Sequence, residues 1–439
     1  MSVQRYLNGT TAVKIAASAE SAAAGGKLAG GERLPPVRAL ALQLAVSPAT
    51  VAAAYRILQE RGIAFADGRR GTIVRHASPA APPAPALLPA HVRDLATGNP
   101  APDLLPDLAP FFRKLDGEPR MYRDELNDSE LVAMARKQFI ADGVPAVSVA
   151  VVSGALDGIE RVLREQLRPG DRVLVEDPCF TGVVDLLHAF SLVPVPVAVD
   201  DDGLLPAAMQ RAAMAEAIIL TPRAQNPTGA AVTEKRGRQL RAILRQRPEL
   251  LVIEDDHAGP IAGAPYITLV EASRERWAVV RSVSKSLGPD LRLAILSGDA
   301  RTIARVEGRQ TLGIRWVSHI LQRLVVGLWR DKSVQKKLAH AESTYAQRRD
   351  AFLAALREHG IEAHGISGLN VWIPLPEESA VVQTLFQRGW AVAAGERYRI
   401  KTPPAIRVTV ASLNASDARA FASDLAEVLR PAQRRAAGA

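Results

Sequence analysis

The stretch RSVSKSLGPDLRLAILSG at residues 281–298 places a lysine between two serines, directly after an apolar run of the kind that forms β-strands. Lys285 therefore stands where a predicted strand passes into a loop, and Arg292 follows seven residues later. Burying a cation without a partner is costly, so this placement indicates a lysine with a chemical task. The alternative interpretation is a surface lysine whose aliphatic stem covers apolar neighbours.

Apolar runs of the same kind recur along the chain and alternate with helical segments. Runs of strand length occupy residues 172–177, 193–200, 216–222, 250–256 and 277–284, and they are separated by helix-like segments such as 154–167 and 233–246. Strands that alternate with helices predict an α/β fold, with a largely parallel sheet covered on both faces. Such sheets bind ligands at the carboxyl ends of their strands, so the polar residues there are the candidate site.

The ends of these strands hold the types of group that one cofactor needs: an amine, a carboxylate, an amide, an aromatic ring, small hydroxyls and a guanidinium. Pyridoxal 5′-phosphate (PLP) needs an amine for a Schiff base with its aldehyde, a carboxylate for its pyridine nitrogen, and a guanidinium with hydroxyls for its phosphate. We predict a PLP site in which Lys285 forms the Schiff base and Phe180 stacks on the ring. Further predicted contacts to PLP are Gly154, Ala155, Ser282, Ser284 and Arg292.

Side-chain alternation decides which acid of the EDDH segment meets the cofactor. Successive strand residues point to opposite faces, so Asp255 and His257 share one direction while Glu254 and Asp256 share the other. We predict that Asp255 holds the pyridine nitrogen and that His257, with Asn226, contacts the neighbouring ring oxygen. Taken alone, the acid pair would equally suit a metal site or a solvated strand end. Together with the lysine and the downstream arginine it favours PLP, and no metal is predicted.

A stretch rich in proline and alanine, ASPAAPPAPALLPAHV at residues 77–92, divides the chain. No helix or strand pattern survives that many prolines, so the stretch predicts an extended, semi-rigid linker. It separates a short N-terminal domain at residues 1–76 from a large domain at residues 93–439.

The N-terminal domain carries the pattern of a winged helix-turn-helix. LPPVRALALQLAV (34–46) begins near prolines and continues with apolar residues, and SPATVAAAYRILQERG (47–62) begins with a serine N-cap and a proline. These two helices predict a helix-turn-helix, and IAFADGRRGTIV (63–74) predicts two short strands around a basic turn. Residues 1–78 hold ten Lys and Arg against four Asp and Glu, which favours double-stranded DNA as a partner. A solvated basic surface is the alternative.

Composition limits the class of protein. The 439 residues are 48% hydrophobic and 23% charged with a net charge of +9, as expected for a globular protein of two or three domains. No apolar run is long enough to span a membrane, and the N-terminus lacks a signal-peptide pattern. Cys179 is the only cysteine, which fits a reducing compartment. We therefore expect a cytoplasmic protein with no membrane contact.

The N-terminal pattern resembles the winged helix of GntR-type bacterial regulators over roughly the first 75 residues. The resemblance implies that the residues in contact with DNA are Arg38, Ser47, Thr50, Arg69 and Arg70. Pro48 departs from the family, which often has an arginine early in the recognition helix. Base readout by this helix is therefore expected to be weaker or shifted.

Residues 95–432 resemble a fold-type I aminotransferase, most specifically in NPTG (226–229) and SVSKSLGPDLR (282–292). A GntR-type winged helix joined to such a domain is the arrangement found in MocR/GabR regulators. The resemblance implies that PLP is held by Lys285, Asp255, Asn226 and Arg292, and that an α-carboxylate is held by Arg407. It also implies a head-to-tail homodimer, in which each winged helix lies over the partner's large domain and Tyr122 contacts the phosphate bound by the partner.

Three departures from the family guide the functional prediction. Phe180 and His257 stand where relatives usually have tyrosine, and Gly182 stands where a relative that senses an amino acid has arginine. These changes favour sensing of PLP itself over turnover of an amino acid. The chain most resembles a member tied to vitamin B6 metabolism. We therefore predict a PLP-binding transcription regulator of vitamin B6 genes, with or without an amino acid or a B6 vitamer as a second effector.

The alternative is an active PLP-dependent aminotransferase with an appended DNA-binding domain. A DNA-binding scaffold with an empty pocket is disfavoured, because the residues that suit PLP are present around Lys285.

Overall fold

The computed structural model describes residues 3–24, 27–29, 31–60, 63–66, 71–74, 88–115, 118–145 and 148–436. They fall into two compact units: the N-terminal unit is drawn from residues 1–86, 167–173 and 182–194, and the larger unit from residues 87–166, 174–181 and 195–439. Arg69, Arg70 and most of the predicted linker lie outside the described residues. The predicted domain boundaries at residues 76 and 93 therefore stay predictions.

The described residues of the N-terminal unit up to Val74 form three α-helices followed by a two-stranded sheet. After a short 3-10 turn at Val3–Tyr6, the elements are α1 Ala12–Ala24, α2 Val37–Leu44, α3 Pro48–Glu60, β1 Ala64–Ala66 and β2 Thr72–Val74. The predicted helix-turn-helix is confirmed by α2 and α3, between which the chain bends by 115°. The predicted strands are also present, paired antiparallel with Ala64 opposite Val74. Helix α1 has no counterpart in the sequence prediction.

Local chemistry explains where α3 begins and how it is held. The backbone N–H of Thr50 donates to the Ser47 hydroxyl at 3.1 Å, so Ser47 is the predicted N-cap. On the core face, Val51, Tyr55 and Leu58 are buried, and the Tyr55 hydroxyl donates to the Pro35 carbonyl at 2.7 Å. This bond ties α3 to the residues that enter α2.

The rest of the chain alternates strands and helices. Its strands are β3 Arg93–Asp94, β4 Ser148–Val152, β5 Arg172–Asp177, β6 Val193–Asp200, β7 Gly203–Leu204, β8 Ala217–Leu220, β9 Leu251–Asp256, β10 Trp277–Ser282, β11 Ala294–Gly298, β12 Asn370–Pro374, β13 Trp390–Ala391, β14 Ala393–Ala394 and β15 Ala405–Thr409. Its helices are α4 Ala109–Phe112, α5 Ser129–Ala141, α6 Ala155–Gln166, α7 Thr181–Ala189, α8 Pro206–Arg211, α9 Glu234–Arg245, α10 Ala300–Thr311, α11 His319–Arg330, α12 Lys332–Glu358, α13 Ser379–Gln387 and α14 Ala415–Ala436.

The main sheet has eight strands in the order β4-β11-β10-β9-β8-β5-β6-β7. Its central strands β8, β9 and β10 are parallel, as predicted. Strand β11, which the sequence analysis left unassigned, runs antiparallel to both β10 and β4. The connection at residues 283–293 is too short for the crossover that a parallel strand would need. The chain therefore turns back after β10, and this turn carries Lys285 and Arg292.

A second core lies among the C-terminal elements. The small sheet β12-β15-β14 packs with α12 and α14 around buried aromatic rings, including Phe352 and Phe421, whose centroids are 5.3 Å apart. Strand β15 carries Arg407 in its middle, opposite Trp372 of β12. Among the described residues, no single helix has the length and apolar composition to cross a membrane, and only the bent α2–α3 pair passes that test jointly.

Candidate functional site

A cavity of about 680 Å³ opens at the carboxyl ends of β5, β8, β9 and β10. This volume lies within the range of small-molecule sites. The predicted residues that line it are Ala155, Phe180, Asn226, Asp255, His257, Ser282, Ser284, Lys285, Arg292 and Arg407. The tertiary structure therefore brings together side chains that are spread over more than half of the chain.

Lys285 lies in the turn after β10 with its ammonium group largely buried. Its Nζ donates to the Gly98 carbonyl at 2.7 Å. The pKa of Lys285 is lowered to about 8, first by burial and then by the charge of Arg407. A larger fraction of this amine is neutral near pH 7 than of an exposed lysine, so it is better suited to attack an aldehyde.

Asp255 is a buried acid with an open acceptor. Its Oδ1 has no hydrogen-bond partner among the described residues. Its pKa is raised to about 7 by burial and, to a smaller extent, by Asp256. A buried acceptor left unpaired costs free energy, and a protonated ring nitrogen would satisfy it.

The neighbours of Asp255 behave as strand alternation predicts. Asp255 and His257 line the cavity, whereas Glu254 accepts a hydrogen bond from the Tyr266 hydroxyl and Asp256 forms ion pairs with arginines. Burial, and then the charge of Lys285, lower the pKa of His257 to about 4. His257 is therefore neutral at pH 7 and can donate one hydrogen bond to a ring oxygen.

The start of α6 and the turn after β10 form a cradle for an anion. The Ser284 N–H donates to the Ser282 hydroxyl at 3.2 Å, and Arg292 Nη2 lies 3.4 Å from the Ser153 carbonyl. Gly154, just before α6, has a φ of +109°, and a Cβ there would lie 2.8 Å from Arg292 Nη2. Backbone N–H groups at a helix N-terminus attract phosphate, so this end of the cavity suits the phosphate group.

We expect the Gly154→Ala variant to bind PLP roughly 10- to 100-fold more weakly, because the added methyl group displaces Arg292 and costs a charge-assisted hydrogen bond. Spectroscopic titration of PLP measures the affinity. The matched control is Gly308→Ala in α10, where a Cβ meets nothing within 4 Å. Equal PLP affinities for the Gly154 variant, the control and the unmodified protein would contradict the placement of the phosphate.

Arg407 is a buried cation in the lining of the cavity. It is 3% exposed, its Nη1 donates to Asn226 Oδ1 at 3.1 Å, and its Nη2 donates to the Ala96 carbonyl. Its Nε has no hydrogen-bond partner, and no carboxylate lies within ion-pair distance of it among the described residues. Buried charges are normally paired, so this guanidinium is suited to an anionic ligand such as a carboxylate.

The sequence analysis missed several groups at this cavity. Arg397 and Tyr398 line it, and Cζ of Arg407 lies 4.9 Å from the centroid of the Tyr398 ring. Tyr398 supplies a phenol, although Phe180 and His257 replace the two tyrosines expected from the family. Arg397 and Tyr398 follow no long strand, so the strand-end pattern could not reveal them.

A further buried carboxyl group, Glu176, lies at the end of β5. Burial raises the pKa of Glu176 to about 8, and the side-chain amide of Gln225 donates to it at 3.2 Å.

Two groups of predicted residues are not part of the lining of this cavity. Tyr122 is 72% exposed and packs edge-on against Trp316, with ring centroids 5.9 Å apart; its contact with a partner's phosphate stays a prediction. Arg38 on α2 and Ser47 before α3 are exposed, and the Ser47 hydroxyl lies 2.8 Å from that of Thr50. Their DNA contacts also stay predictions.

Both parts of the chain match known families. Residues 12–74 match bacterial regulatory proteins of the gntR family, and residues 132–425 match aminotransferase class I and II. The chain is 39% identical over 435 residues to the vitamin B6 salvage pathway transcriptional repressor PtsJ of Salmonella typhimurium, covering 96% of this chain and 99% of that protein. It is 28% identical to the HTH-type transcriptional regulator TauR of Rhodobacter capsulatus, covering 80% of this chain and 81% of that one.

Solved structures share the fold of the large part. The chain superposes on a kynurenine aminotransferase from Pyrococcus horikoshii with a TM-score of 0.70 at 20% identity, covering 78% of this chain and 91% of that one. A multiple substrate aminotransferase from Thermococcus profundus gives a TM-score of 0.71 at 20% identity, covering 79% and 93%. These similarities confirm the predicted aminotransferase-like α/β fold, and the gntR match confirms the predicted winged helix.

The matched aminotransferase domain implies PLP as cofactor, and the residues present fit it. The unpaired Oδ1 of Asp255 offers an acceptor for the pyridine nitrogen. The glycine at 154 leaves room beside Arg292 for the phosphate end, and the lowered pKa of Lys285 suits reaction with the aldehyde. Each of these three features suits a different part of PLP.

Proposed function

The chain belongs to the MocR/GabR family of bacterial regulators, which join a GntR-type DNA-binding domain to an aminotransferase-like domain, and we propose that it is a cytoplasmic repressor of vitamin B6 salvage genes that responds to PLP. The observation that carries the proposal is the cavity around Lys285, whose donor set fits PLP, in the same chain as a winged helix-turn-helix. The repression and the B6 genes are proposed from the similarity to PtsJ.

Each cavity residue has a distinct task in this proposal. Asp255 would keep the pyridine nitrogen protonated, and His257 and Asn226 would contact the ring oxygen. Ser282, Ser284, Arg292 and the backbone at Gly154 and Ala155 would hold the phosphate, while Phe180 would stack on the ring. PLP supplies, when bound, an aldehyde that reacts with amines and a ring that accepts electron density. Lys285 supplies the amine that anchors it.

A second candidate function is aminotransferase activity, favoured by one observation. Arg407 is buried without a carboxylate partner among the described residues, which suits the α-carboxylate of an amino acid. Formation of keto acid from a panel of amino acids tests this function directly. Rapid turnover of an amino acid, together with an operator affinity that does not change when PLP binds, would indicate that catalysis is the main function of the protein.

We also propose that the chain acts as a head-to-tail homodimer on double-stranded DNA. Exposed apolar side chains support it around Tyr122, namely Met121, Leu312, Ile314 and Ile320. The guanidinium of Arg315 lies over the rings of Tyr122 and Trp316 at 5.5 and 5.8 Å, so the two segments that carry this surface pack together. Clustered exposed apolar side chains are typical of interaction surfaces.

We expect PLP to change operator affinity by about 5- to 150-fold, the usual range for coupling between a ligand site and a second site in a regulator. DNA gel shifts with the PLP-free and PLP-loaded protein at one fixed salt concentration measure the change. The Lys285→Ala variant serves as the control, in which added PLP should have a much smaller effect. Equal operator affinities with and without PLP would contradict a PLP-responsive regulator.

A further inference from the structure

The charged side chains that line the cavity are unbalanced. Four cations, Lys285, Arg292, Arg397 and Arg407, face one carboxylate, Asp255. In the proposed function Asp255 pairs with the pyridine nitrogen of PLP, Arg292 binds the phosphate and Lys285 reacts with the aldehyde. Arg407 is then available to an α-carboxylate, and Arg397 is the cation that no part of PLP and no α-amino-acid backbone uses.

Arg397 is available for a ligand. It makes no hydrogen bond or ion pair with another described residue, and its side chain is exposed at the cavity. The nearby Arg399, by contrast, pairs with Glu378 at 2.8 Å. The chain therefore neutralises one of two closely spaced arginines and leaves the one that lines the cavity free.

The segment that carries Arg397 is held by two buried carboxylates. Glu378, 7% exposed, accepts hydrogen bonds from the backbone N–H groups of Glu396 at 2.8 Å and Ala405 at 3.0 Å. Asp177, 5% exposed, accepts from the N–H groups of residues 400, 401 and 402 at 2.7–3.1 Å. The backbone that carries Arg397 is thus already ordered before a ligand binds. This lowers the entropy cost of binding a ligand through Arg397.

Arg397 and Arg407, which would hold the α-carboxylate, line the same cavity. Its neighbour in the chain, Tyr398, carries the ring that lies under the Arg407 guanidinium at 4.9 Å. Arg397 is therefore next in the chain to a residue that contacts Arg407. A ligand bound through its α-carboxylate at Arg407 can present a second acidic group to Arg397.

We propose that Arg397 binds the side-chain carboxylate of a dicarboxylic amino acid, so that the second effector of this regulator is aspartate- or glutamate-like. The inference rests on the proposed binding of PLP and of an α-carboxylate at the same site. Gly182 stands where a relative that senses an amino acid has arginine, and the inference gives a second carboxylate a different partner, Arg397.

The test is a titration of the PLP-loaded full-length protein with glutamate, aspartate, glutamine and asparagine, followed by the change in the visible absorption of the cofactor. The amides match the acids in shape but lack the charge. We expect the acids to bind about tenfold more tightly than the amides, as one charge-assisted pair would give. Arg397→Gln should remove this preference while leaving PLP affinity and glutamine affinity unchanged.

The matched control is Lys401→Gln, which removes a positive charge from an exposed position of the same segment outside the cavity lining. This variant should keep the preference for the acids. Equal binding of acids and amides by the unmodified protein, a preference that survives in Arg397→Gln, or no response to any of the four amino acids would each overturn the inference. Failure of the unmodified protein to bind PLP would instead overturn the proposed function.

Discussion

Replacing Lys285 by alanine is expected to abolish covalent capture of PLP. In the unmodified protein the Lys285 amine would condense with the aldehyde with loss of water, and reduction by borohydride would leave the cofactor on the peptide that contains Lys285. The alanine variant has no amine at this place, so the visible absorption of the bound cofactor and the modified peptide should both disappear. Absorption spectra and peptide mass analysis measure the two effects.

The capture also has an expected pH dependence. The pKa of Lys285 is lowered to about 8, so its amine is mostly protonated below that pH and mostly neutral above it. Only the neutral amine attacks, and the rate of capture should therefore rise between about pH 6 and about pH 9. The control is Lys336→Ala on the exposed side of α12, which should capture PLP normally. A PLP-modified peptide from the Lys285→Ala variant that lies elsewhere in the chain would refute the assignment.

Replacing Arg38, Arg69 and Arg70 together by alanine is expected to weaken operator binding about a thousandfold. Each predicted phosphate contact contributes a charge-assisted hydrogen bond worth about a factor of ten, and the loss of three such contacts gives this magnitude. Each contact also releases counterions on binding, so the slope of log affinity against log salt should fall by about three. Gel shifts or fluorescence anisotropy over a range of salt concentrations measure both quantities.

The matched control for this variant removes the same charge elsewhere in the N-terminal unit. Arg5, Lys14 and Lys27 are exposed and are not predicted to contact DNA. Their joint replacement by alanine should change affinity far less, since distant charges are screened by salt. If the two triple variants lost affinity equally, net charge would explain the binding and the winged-helix contacts would be wrong.

Much of the fold was predictable because its signals are local. The strands at 172–177 and 193–200 were predicted with the bounds that the structure has, and α6 and α9 lie within one or two residues of their predicted segments. Their apolar periodicity comes from burial on one or both faces, which the residue order itself displays. Strand β11 was missed because its apolar run follows the Lys285 loop without a separating helix.

Part of the candidate site was also predictable from local signals in the sequence. Asp255 and His257 could be placed on one face from alternation alone, because the direction of a strand side chain depends only on its position. Lys285 and Arg292 could be selected because their spacing in one loop is visible in the residue order. The similarity to known regulators then confirms the family and the cofactor.

The amino-acid sequence by itself determined the two-part organisation, five strands of the main sheet and the residues that suit PLP. Only the tertiary structure decided that Tyr398 lies under Arg407, that Arg397 faces the same cavity, and that Arg407 is buried without a carboxylate partner among the described residues. The physical reason is that these relations arise where segments far apart in the chain pack together. Burial, unpaired donors and shifted pKa values depend on that packing, and no local pattern of residues encodes them.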